Sequence, residues 1–585
     1  MFSLILETQF NMNSPALERA NQWLNSNISE EEKKQIQSLL DNSDGTELED
    51  SFYKSLEFGT GGLRGLMGIG SNRMNKYTLG LATQGLSNYL LSTYPNVQIK
   101  VAIAYDCRNN SKYFADITAD VFSANGIRVF LFEELRPTPQ LSYAIRHFEC
   151  HSGVVITASH NPKEYNGYKA YWNDGAQLTD PHDVNVIAEV NKMQSIDEVS
   201  FSRNAELIST IDSSFDDLYI DEIKKVCLSP ELISKHSDLS IVFSSIHGTG
   251  ITLVPKTLQT LGFNNVTVVE EQRETDGNFP TVVYPNPEEK EAMTLALKQA
   301  SISKADVVMA TDPDSDRVGI AVPNNEGEYI LLNGNETGSL IIYYVLKRLE
   351  ELGELPSNGY TVKTIVTSDL ICKISKSFGI ECKETLTGFK YIATMIRELE
   401  GKQKYIAGGE ESYGYLISDF VRDKDAITSC AIIAEMTAYA KEQGQSLYQL
   451  LEVIHKEFGL YYENLISITK KGKKGAEEIT TMMQEYRDNP PVEINGSKVE
   501  YLLDYKSSEK KNLLTGNNDL MDFPSSNVLQ FITEDGSKIS ARPSGTEPKI
   551  KFYFSVFSDK YDDYKLAKSQ LVEKVVSIQK DMNLL

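Results

Sequence analysis

Short apolar runs alternate with helix-like stretches along most of this 585-residue chain. The segments 101–105, 128–132 and 153–156 are apolar, and turn residues bound each of them. Helical sequence lies between them, for example at 77–93 and 111–125. Apolar runs of this length favour buried strands, and strands that alternate with helices are typical of layered α/β domains. The alternation therefore predicts an α/β fold.

The same pattern starts again twice and then changes. A chain of this length predicts roughly four domains of about 150 residues. The last stretch, with a proline pair at 490–491, predicts a smaller α+β domain after a hinge near 455–465. Helices are predicted at 12–55, at 334–353 and from about 560. The predicted domain boundaries are 1–208, 209–328, 329–457 and 458–585, and the later strands are 239–243, 265–269, 306–310, 364–367, 380–385, 405–407, 528–533, 538–541 and 550–555.

Charge and cysteine usage narrow the function classes. The formal net charge is −24, from 58 basic and 82 acidic residues. Sequence-independent nucleic-acid binding needs a basic surface, so this class is disfavoured. Six cysteines without a CxxC pair are expected to be free thiols in a reducing compartment. We find no signal peptide and no apolar run long enough to cross a bilayer, so a cytoplasmic protein without a membrane partner is predicted.

A serine follows the predicted strand 153–156, in the segment Thr-Ala-Ser-His-Asn-Pro at 157–162. This places Ser159 at the carboxyl end of a strand, the edge at which open α/β sheets bind ligands. A serine hydroxyl needs a base, or must already carry a reactive group, before it can take part in transfer chemistry. The alternative is that Ser159 caps a helix and that His160 is a surface residue. The polar, aromatic sequence that follows, which includes Lys169, is longer than a cap requires.

Three carboxylates stand at alternate positions after the predicted strand 306–310: Asp312, Asp314 and Asp316, followed by Arg317. With a period of two, the three side chains can point the same way, and they would repel one another without a cation. Oxygen ligands favour Mg²⁺ or Mn²⁺. An EF-hand is excluded, because Arg317 and Pro323 occupy the positions of its glycine and glutamate. A phosphatase with Asp312 as nucleophile and a solvated acidic turn both stay open.

Four further loops could bind phosphate or sugar. The glycine-rich segment 58–65 carries Arg64, and its backbone could cradle phosphate oxygens, although its spacing matches no standard phosphate loop. Thr-Gly-Phe-Lys at 387–390 and Gly-Gly-Glu-Glu-Ser-Tyr-Gly at 408–414 are, taken singly, ordinary connecting loops. The segment 542–549 is more specific, because an arginine, two hydroxyls and a glycine suit a phosphate monoester.

Taken together, these motifs resemble the α-D-phosphohexomutase superfamily of phosphoglucomutases and phosphomannomutases. They occur in the family's order and span nearly the whole chain. The long loops YWNDGAQL (171–178) and SIHGTG (245–250) resemble the branch of long-chain phosphoglucomutases and phosphopentomutases. The matching segments are FGTGGLRG (58–65), TASHNP (157–162), YNGYK (165–169), TDPDSDR (311–317), TGFK (387–390), GGEESYG (408–414) and RPSGTEPK (542–549).

The resemblance implies four domains around a central cleft: three similar α/β domains and a C-terminal α+β domain. It implies that Ser159 is a phosphoserine and that one Mg²⁺ is bound by Ser159 and the three aspartates. The groups around the reacting phosphate would be Arg64, His160, Lys169, Arg317 and Lys390. The groups that bind the sugar or the second phosphate would be Thr387, Gly388, Glu410, Ser412, Arg542, Ser544, Gly545 and Thr546.

The activity implied is a phosphoglucomutase that uses glucose 1,6-bisphosphate as activator and intermediate. Phosphomannomutase or phosphopentomutase activity on the same scaffold is the alternative. Tyr413-Gly414 stands where bacterial phosphomannomutases have Gly-His, which argues against mannose. A metal-dependent phosphatase and a non-catalytic sugar-phosphate-binding protein are more distant alternatives. The expected partner is a small sugar phosphate, and the expected state is a monomer or weak homodimer.

Overall fold

The computed structural model of this protein describes residues 14–42, 44–59, 61–470, 472–544 and 549–585. The chain forms two units. The first runs to Ala321 and also includes 393–398 and 416–435, whereas the second comprises 322–392, 399–415 and 436–585. Within the described ranges, no helix combines the length and the apolar composition needed to span a membrane.

The elements up to residue 323 follow one another as helices and strands in near-regular alternation. In chain order they are α1 (Pro15–Leu24), α2 (Glu30–Asp41), α3 (Thr46–Phe52), β1 (Gly62–Leu66), α4 (Lys76–Thr93), β2 (Lys100–Tyr105), α5 (Ser111–Ala124), β3 (Arg128–Phe132), α6 (Thr138–His147), β4 (Ser152–Ile156), β5 (Tyr165–Trp172), α7 (His182–Lys192), β6 (Ile208–Ile211), α8 (Phe215–Val226), α9 (Pro230–Lys235), β7 (Ile241–Ser244), α10 (Gly250–Leu261), β8 (Val266–Val268), α11 (Lys290–Ser303), β9 (Val307–Thr311) and β10 (Val318–Pro323).

The remaining elements begin with the same alternation and end in a run of strands. They are β11 (Tyr329–Leu332), α12 (Gly334–Leu352), β12 (Gly359–Thr364), α13 (Leu370–Ser377), β13 (Glu381–Thr385), α14 (Phe389–Leu399), β14 (Lys404–Glu410), β15 (Gly414–Ile417), α15 (Ala426–Glu442), α16 (Leu447–Phe458), β16 (Leu460–Thr469), α17 (Gly472–Asp488), β17 (Glu493–Ile494), β18 (Ser497–Asp504), β19 (Glu509–Asn512), β20 (Asn518–Leu520), β21 (Leu529–Thr533), β22 (Lys538–Pro543), β23 (Lys549–Ser558) and α18 (Tyr564–Asp581).

The first sheet has the strand order β1-β5-β4-β2-β3-β6. Strands β4, β2, β3 and β6 are parallel, and β5 is antiparallel to both of its neighbours. This sheet contributes to two hydrophobic cores. One core contains apolar side chains of α4 and α5, and the other contains apolar side chains of α6. Helices on both faces explain why β2 and β4 are almost continuously apolar. The serine turn is the connection between β4 and its antiparallel neighbour β5.

The second sheet of the first unit places β10, β9, β7 and β8 side by side in that order. Strands β7, β8 and β9 are parallel, whereas β9 and β10 form an antiparallel pair in which Thr311 lies opposite Val318. All five residues of β9 are buried. The six residues from Asp312 to Arg317 therefore form the tight connection of a hairpin whose strands lie in the core.

In the second unit, the sheet order is β13-β12-β14-β15, and β12 is parallel to both of its neighbours. The C-terminal sheet has the order β16-β23-β22-β21-β18-β19-β20, and each strand is antiparallel to its neighbours in this order. Helices α17 and α18 contribute apolar side chains to the core of this sheet. The smaller α+β domain predicted for the end of the chain is therefore present.

One predicted strand is wrong. We predicted a strand at 364–367, but β12 ends at Thr364 and residues 365–367 form a turn. Ile365 and Val366 are buried because they pack against side chains of the C-terminal sheet and its loops, including Tyr505 and Val528. Their apolar character therefore reflects packing between elements that are distant in sequence, which a local pattern cannot distinguish from strand pairing.

The expectation of six free thiols is also wrong for two cysteines. Cys372 on α13 and Cys382 on β13 form a disulfide, with their Cα atoms 5.1 Å apart. Helix α13 and strand β13 are neighbours in space, which the sequence spacing alone does not reveal. The remaining four cysteines, Cys107, Cys150, Cys227 and Cys430, are free thiols. The cytoplasmic location stays a prediction.

A group of charged side chains connects the end of β12 with the C-terminal sheet. Lys363, whose side chain is fully buried, lies 2.9 Å from Asp369 and 2.6 Å from Glu384. Lys538 on β22 donates to both carboxylate oxygens of Asp369, each at 2.8 Å. On the adjacent strand, the Gln530 amide donates to the Ile365 carbonyl at 2.7 Å. Asp369 is thus the carboxylate shared by two lysines of the second unit.

Asp369→Asn should lower the free energy of unfolding by about 1 kcal/mol, because charged hydrogen bonds from two lysines are weakened together, although solvent screens a carboxylate that is 46% exposed. Lys363→Met should cost less than about 1 kcal/mol, because Asp369 keeps Lys538 and the partly exposed Glu384 can be hydrated. Equilibrium urea unfolding of both variants at neutral pH measures the difference. An equal or larger loss for the methionine variant would contradict this ranking.

Glu463 on β16 predicts a pH dependence of stability. Burial, with the nearby charges of Glu336 and Asp369, raises its pKa from 4.5 to about 7, against the opposing effects of Ser368 and Lys538. Between these two values the folded chain binds more protons than the unfolded chain. The Glu463 contribution to stability should therefore decline as the pH rises from 4.5 to about 7, and stay constant above. Thermal unfolding of Glu463→Gln should lack this decline, whereas the exposed control Glu573→Gln should keep it.

Candidate active site

Ser159 lies in the turn that follows β4. It is 3% exposed, and its φ of +51° is in the left-handed region, which is uncommon for serine. Its N–H donates to Oγ1 of Thr157 at 2.8 Å, and its hydroxyl donates to Oδ2 of Asp312 at 2.9 Å. The turn requires glycine at 167 on β5, because a Cβ there would lie 2.4 Å from the Thr157 carbonyl oxygen. The structure therefore brings the serine turn and the aspartate loop together.

The aspartate loop is held by backbone contacts. Oδ1 of Asp312 accepts the N–H groups of Asp316 and Arg317, each at 3.1 Å. The carbonyl of Pro313 accepts both the N–H and the hydroxyl of Thr249, at 2.8 and 2.9 Å. The approach requires glycine at 248, since a Cβ there would lie 2.5 Å from the Cα of Pro313. These contacts fix the direction of the carboxylates before any ligand is bound.

Cationic side chains surround the carboxylates. Lys169 on β5 lies 2.7 Å from Oδ2 of Asp314 and 3.1 Å from Oδ2 of Asp316. Lys424 lies 3.2 Å from the same oxygen of Asp316. Arg317 pairs with Glu288 at 2.8 Å, and its Nε lies 3.7 Å from Oδ1 of Asp316. The predicted residues Lys169 and Arg317 therefore lie at the aspartate loop.

The carboxylates differ in their electrostatic environment. Burial, together with the charges of Asp314 and Asp316, raises the pKa of Asp312 well above its ordinary value. Burial also opposes the ionisation of Asp316, but Lys169, Lys424 and Arg317 outweigh it and hold the Asp316 pKa below its usual range. Of these two carboxylates, Asp312 therefore has the less compensated negative charge.

His160 and Arg64 both contact side chains of the serine turn. Nδ1 of His160 is 3.2 Å from Oγ of Ser159. Burial, with the positive charges of Arg317 and Arg64, lowers the pKa of His160 well below its ordinary value, so its ring is neutral at neutral pH and can accept a proton. Arg64 on β1 donates to the side-chain carbonyl of Asn161 at 2.9 Å. Both predicted residues thus contact the turn that carries the serine.

Two residues of this cluster were missed in the sequence. Thr138, at the start of α6, donates its N–H to the Asp314 carbonyl at 2.9 Å and its hydroxyl to Oδ2 of Asp314 at 2.8 Å. Lys424 is held by Asp423, which lies 2.9 Å from it and accepts the hydroxyl of Tyr171. The sequence RPTP around Thr138 and VRDKD around Lys424 have no distinctive spacing. Only their proximity in the fold identifies them.

The second unit contains a separate group of predicted residues. Oε1 of Glu410, at the end of β14, accepts the N–H of Gly388 at 2.9 Å. The neighbouring Thr387 hydroxyl is buried and has no hydrogen-bond partner among the described residues. Glu411 accepts the hydroxyls of Thr364 and Thr367. The loops TGFK and GGEESYG are therefore adjacent, as expected of loops that bind one ligand.

Tyr553 on β23 connects this group with the predicted phosphate loop. Its hydroxyl forms a hydrogen bond with Arg542, and it lies near the charges of Glu411 and Glu410. Burial, with these two carboxylates, raises the pKa of Tyr553, so it remains a neutral phenol. This residue was also missed in the sequence, because a tyrosine on an apolar strand resembles a core residue.

The second unit also contains the predicted residues Ser412, Lys390 and Ser544. Ser412 lies in the turn between β14 and β15, and Lys390 lies over the ring of Tyr391, with 5.0 Å to its centroid. Ser544 is exposed, and its N–H donates to the Lys549 carbonyl at 2.7 Å. Gly545 and Thr546 lie outside the described residues.

Comparison with known proteins gives a consistent result. Three descriptions match this chain in order: phosphoglucomutase/phosphomannomutase alpha/beta/alpha domain I at 55–197, domain II at 217–327 and domain III at 333–458. The phosphoglucomutases of Staphylococcus haemolyticus (strain JCSC1435) and Staphylococcus aureus (strain bovine RF122 / ET3-1) are 38% and 39% identical to it. Each alignment covers 90% of this chain, and 95% and 94% of the two relatives.

The chain belongs to the phosphoglucomutase/phosphomannomutase family. It is therefore an enzyme of the phosphotransferase and isomerase type, and the predicted superfamily and fold class are confirmed. Two solved structures share this fold. A phosphomannomutase from Thermus thermophilus has a TM-score of 0.67 at 20% identity, covering 91% of this chain and 98% of its own. The open form of the Paramecium phosphoglucomutase pp63/parafusin has a TM-score of 0.68 at 19% identity, covering 91% and 96%.

The acidic group of this family member fits a metal ion. Ligand atoms of Asp312, Asp314 and Asp316 lie within 4.8 Å of one another, and all three residues are buried. Oδ1 of Asp314 and Oδ1 of Asp316 are buried atoms without a hydrogen-bond partner among the described residues. Buried carboxylate oxygens without donors are costly unless a cation is bound. The three aspartates can therefore hold a metal.

Thr138→Val should weaken the binding of a divalent cation by about tenfold, because the hydroxyl that orients Asp314 is lost. Isothermal titration calorimetry with Mg²⁺ and with Mn²⁺ measures this directly, without an activity assay. The matched control is Thr118→Val on α5, a buried threonine whose hydroxyl donates to the Phe114 carbonyl of the same helix. Equal affinity in both variants would show that Thr138 does not orient a ligand.

Proposed function

We propose that this enzyme is a phosphoglucomutase, which interconverts glucose 1-phosphate and glucose 6-phosphate through phosphorylated Ser159 and glucose 1,6-bisphosphate. The observation that carries the proposal is the 2.9 Å contact of Oγ of Ser159 with Oδ2 of Asp312. It occurs in a chain that is 38% identical to a phosphoglucomutase over 90% of its length. The predicted four-domain division at 1–208, 209–328, 329–457 and 458–585 is part of this proposal.

In the proposed reaction, phosphorylated Ser159 donates its phosphoryl group to the free hydroxyl of the sugar phosphate. Asp312, Asp314 and Asp316, with Ser159, would hold one Mg²⁺, which supplies positive charge at the serine oxygen when bound. Lys169, Arg64 and Arg317 would stabilise the equatorial oxygens during transfer. The bisphosphate then presents its other phosphate to Ser159, and the second sugar monophosphate leaves.

The neutral ring of His160 supports a role in proton transfer. The sugar hydroxyl has to lose a proton as it attacks the phosphoryl group, and the acceptor must lie close to Ser159. Nδ1 of His160 lies 3.2 Å from the serine oxygen, and its lowered pKa keeps the nitrogen free to accept. Lys169 is held protonated, because Asp314 and Asp316 outweigh the effect of burial and raise its pKa. Lys169 therefore supplies positive charge, whereas the unprotonated ring of His160 is the group next to Ser159 that can accept a hydrogen bond or a proton.

Residues of the second unit are proposed to bind the rest of the substrate. Glu410 and Ser412 would accept and donate hydrogen bonds to sugar hydroxyls, next to Thr387, Gly388 and Lys390. Arg542, with Ser544, Gly545 and Thr546, would bind the phosphate that is not reacting. The hydrogen bond of Glu410 to the Gly388 N–H and that of Arg542 to Tyr553 support this assignment, since both orient the proposed ligand-binding side chains.

The contacts of Asp312 favour a mutase over a phosphatase with Asp312 as nucleophile. Its Oδ1 accepts two backbone N–H groups, and its Oδ2 accepts the Ser159 hydroxyl. Asp312 is therefore held by the loop backbone through one oxygen, and its other oxygen contacts the hydroxyl that is the proposed phosphoryl carrier. Phosphomannomutase or phosphopentomutase activity stays the alternative within the family. A monomer or weak homodimer is the expected state.

Ser159→Ala should lower the mutase rate by at least about a thousandfold, because the phosphoryl carrier is removed. The conversion of glucose 1-phosphate, coupled to glucose 6-phosphate oxidation, measures this. The control is Ser152→Ala on β4, a buried serine whose hydroxyl donates to the Tyr171 carbonyl of β5. After incubation with glucose 1,6-bisphosphate and Mg²⁺, mass spectrometry should find one phosphoryl group on the wild-type peptide that contains Ser159.

The same assay separates the alternatives. Release of inorganic phosphate without isomerisation would identify a phosphatase, and binding without turnover would identify a sugar-phosphate-binding protein. Rates with glucose, mannose, ribose and glucosamine 1-phosphates rank the substrates. A higher kcat/KM for mannose or ribose 1-phosphate than for the glucose compound would contradict the proposed specificity.

A further inference from the structure

Arg108, in the turn between β2 and α5, is buried beneath the serine turn. Its side chain is fully buried, and its guanidinium donates to four backbone carbonyls of one short segment. Nη2 donates to the carbonyl of Ser159 at 2.6 Å and to that of Asn161. Nη1 donates to the carbonyls of Pro162 and Tyr165, at 2.8 and 3.1 Å. One side chain thus donates to four of the seven carbonyls of residues 159–165.

These carbonyls converge because the segment is tightly turned. The Asn161 N–H donates to the Ala158 carbonyl, and the Tyr165 N–H donates to the Pro162 carbonyl. The left-handed conformation of Ser159 is unfavourable for a residue with a Cβ atom, so the surrounding contacts have to stabilise it. Carbonyls buried without donors would add a further cost. A guanidinium, with four N–H groups on its two terminal nitrogens in one plane, matches four convergent acceptors.

Other groups fix the guanidinium in turn. Its Nε lies 3.3 Å from Oδ2 of Asp106, and neither side chain is exposed. Oδ1 of Asp106 accepts the Arg108 N–H and the Ser111 hydroxyl, at 2.9 and 2.6 Å. The guanidinium also lies over the ring of Phe279, with 5.1 Å to its centroid. The orientation of the donors is thus set by contacts that lie outside the serine turn.

We propose that Arg108, oriented by Asp106, is a positioning residue for phosphoryl transfer. It holds the backbone of residues 159–165 so that the Ser159 hydroxyl is directed at Asp312. This inference rests on the proposed function of Ser159 as the phosphoryl carrier. Within the described part of the chain, the Arg108 guanidinium bonds to main-chain carbonyls and pairs with Asp106, so we assign it to the geometry of transfer rather than to the binding of sugar.

A lysine at 108 tests this role. Its single ammonium is a point charge that cannot reach four carbonyls in a plane. A displacement of the reacting atom by about 1 Å can cost a hundredfold in rate. Arg108→Lys should therefore lower kcat by about a hundredfold and leave KM within about twofold, since transfer is impaired and binding is not. The rate of Ser159 phosphorylation from glucose 1,6-bisphosphate, followed by mass spectrometry, should fall to the same extent.

The matched control is Arg487→Lys in the C-terminal sheet domain. Arg487 is also largely buried, and it donates to Asp504, Asn527 and the Met483 carbonyl. The lysine substitution should likewise remove several guanidinium hydrogen bonds, while kcat stays unchanged. Addition of guanidinium ion at millimolar concentration should raise the kcat of Arg108→Ala several-fold and leave Arg487→Ala unaffected. A purely structural role would not produce this rescue.

Hydrogen exchange separates this inference from the proposed function. In Arg108→Lys, amides of residues 158–165 should exchange faster, whereas those of β2 and β4 should not. If the wild type neither isomerises nor acquires phosphate on Ser159, the proposed function fails, and unchanged exchange in the variant would show independently that Arg108 does not hold the turn. A folded Arg108→Lys enzyme with the wild-type kcat overturns the proposal.

A second variant applies if Arg108→Lys does not fold. Asp106→Asn keeps the guanidinium and removes only the carboxylate charge opposite its Nε. It should lower kcat by about tenfold with an unchanged KM, as is typical when a supporting partner of an active-site group is lost. A folded Asp106→Asn enzyme with the wild-type kcat likewise overturns the proposal.

Discussion

The burial of three carboxylates beside a serine hydroxyl is the constraint on which the first unit depends. Carboxylates removed from water are costly unless cations and N–H donors compensate them. The compensating groups come from separate elements: Lys169 from β5, Thr138 from the start of α6, and Lys424 from the segment 416–435. Because each group has to reach the same few oxygens, the cluster fixes these elements relative to one another. The electrostatic requirement of the site is thus also a packing requirement of the unit.

The site could be predicted from sequence where its chemistry is carried by a contiguous motif. Ser159 and the alternating aspartates each follow an apolar strand, and a short motif at the end of a strand has a predictable place in an α/β sheet. Thr138, Lys424 and Tyr553 could not be predicted, because each is a single common residue whose partner lies far away in the sequence. The same limit applies to Arg108, which acts on the backbone of residues 159–165.

The fold shows the same division between local and distant information. Some strands have the same bounds in the structure as the apolar pattern predicts, for example β3 at Arg128–Phe132. Ile365 and Val366 are equally apolar but are buried by Tyr505 and Val528, which follow them by more than a hundred residues. The disulfide between Cys372 and Cys382 likewise depends on how α13 packs beside β13. Periodicity reports that a residue is buried, but it does not report which element covers it.

The geometry of Ser159 is established by the fold before substrate binds. Its backbone is left-handed. Two backbone N–H groups hold Oδ1 of Asp312, and Arg108 holds four carbonyls of the serine turn. All of these contacts lie within the protein. Transfer reactions gain rate when donors and charges are fixed in advance, because no reorganisation is then needed at the moment of reaction. In the proposed reaction, the serine also has to return to the same position after each transfer, since it would accept a phosphoryl group as often as it gives one. A turn whose backbone is held by Arg108 would keep the serine in the same position for both transfer steps.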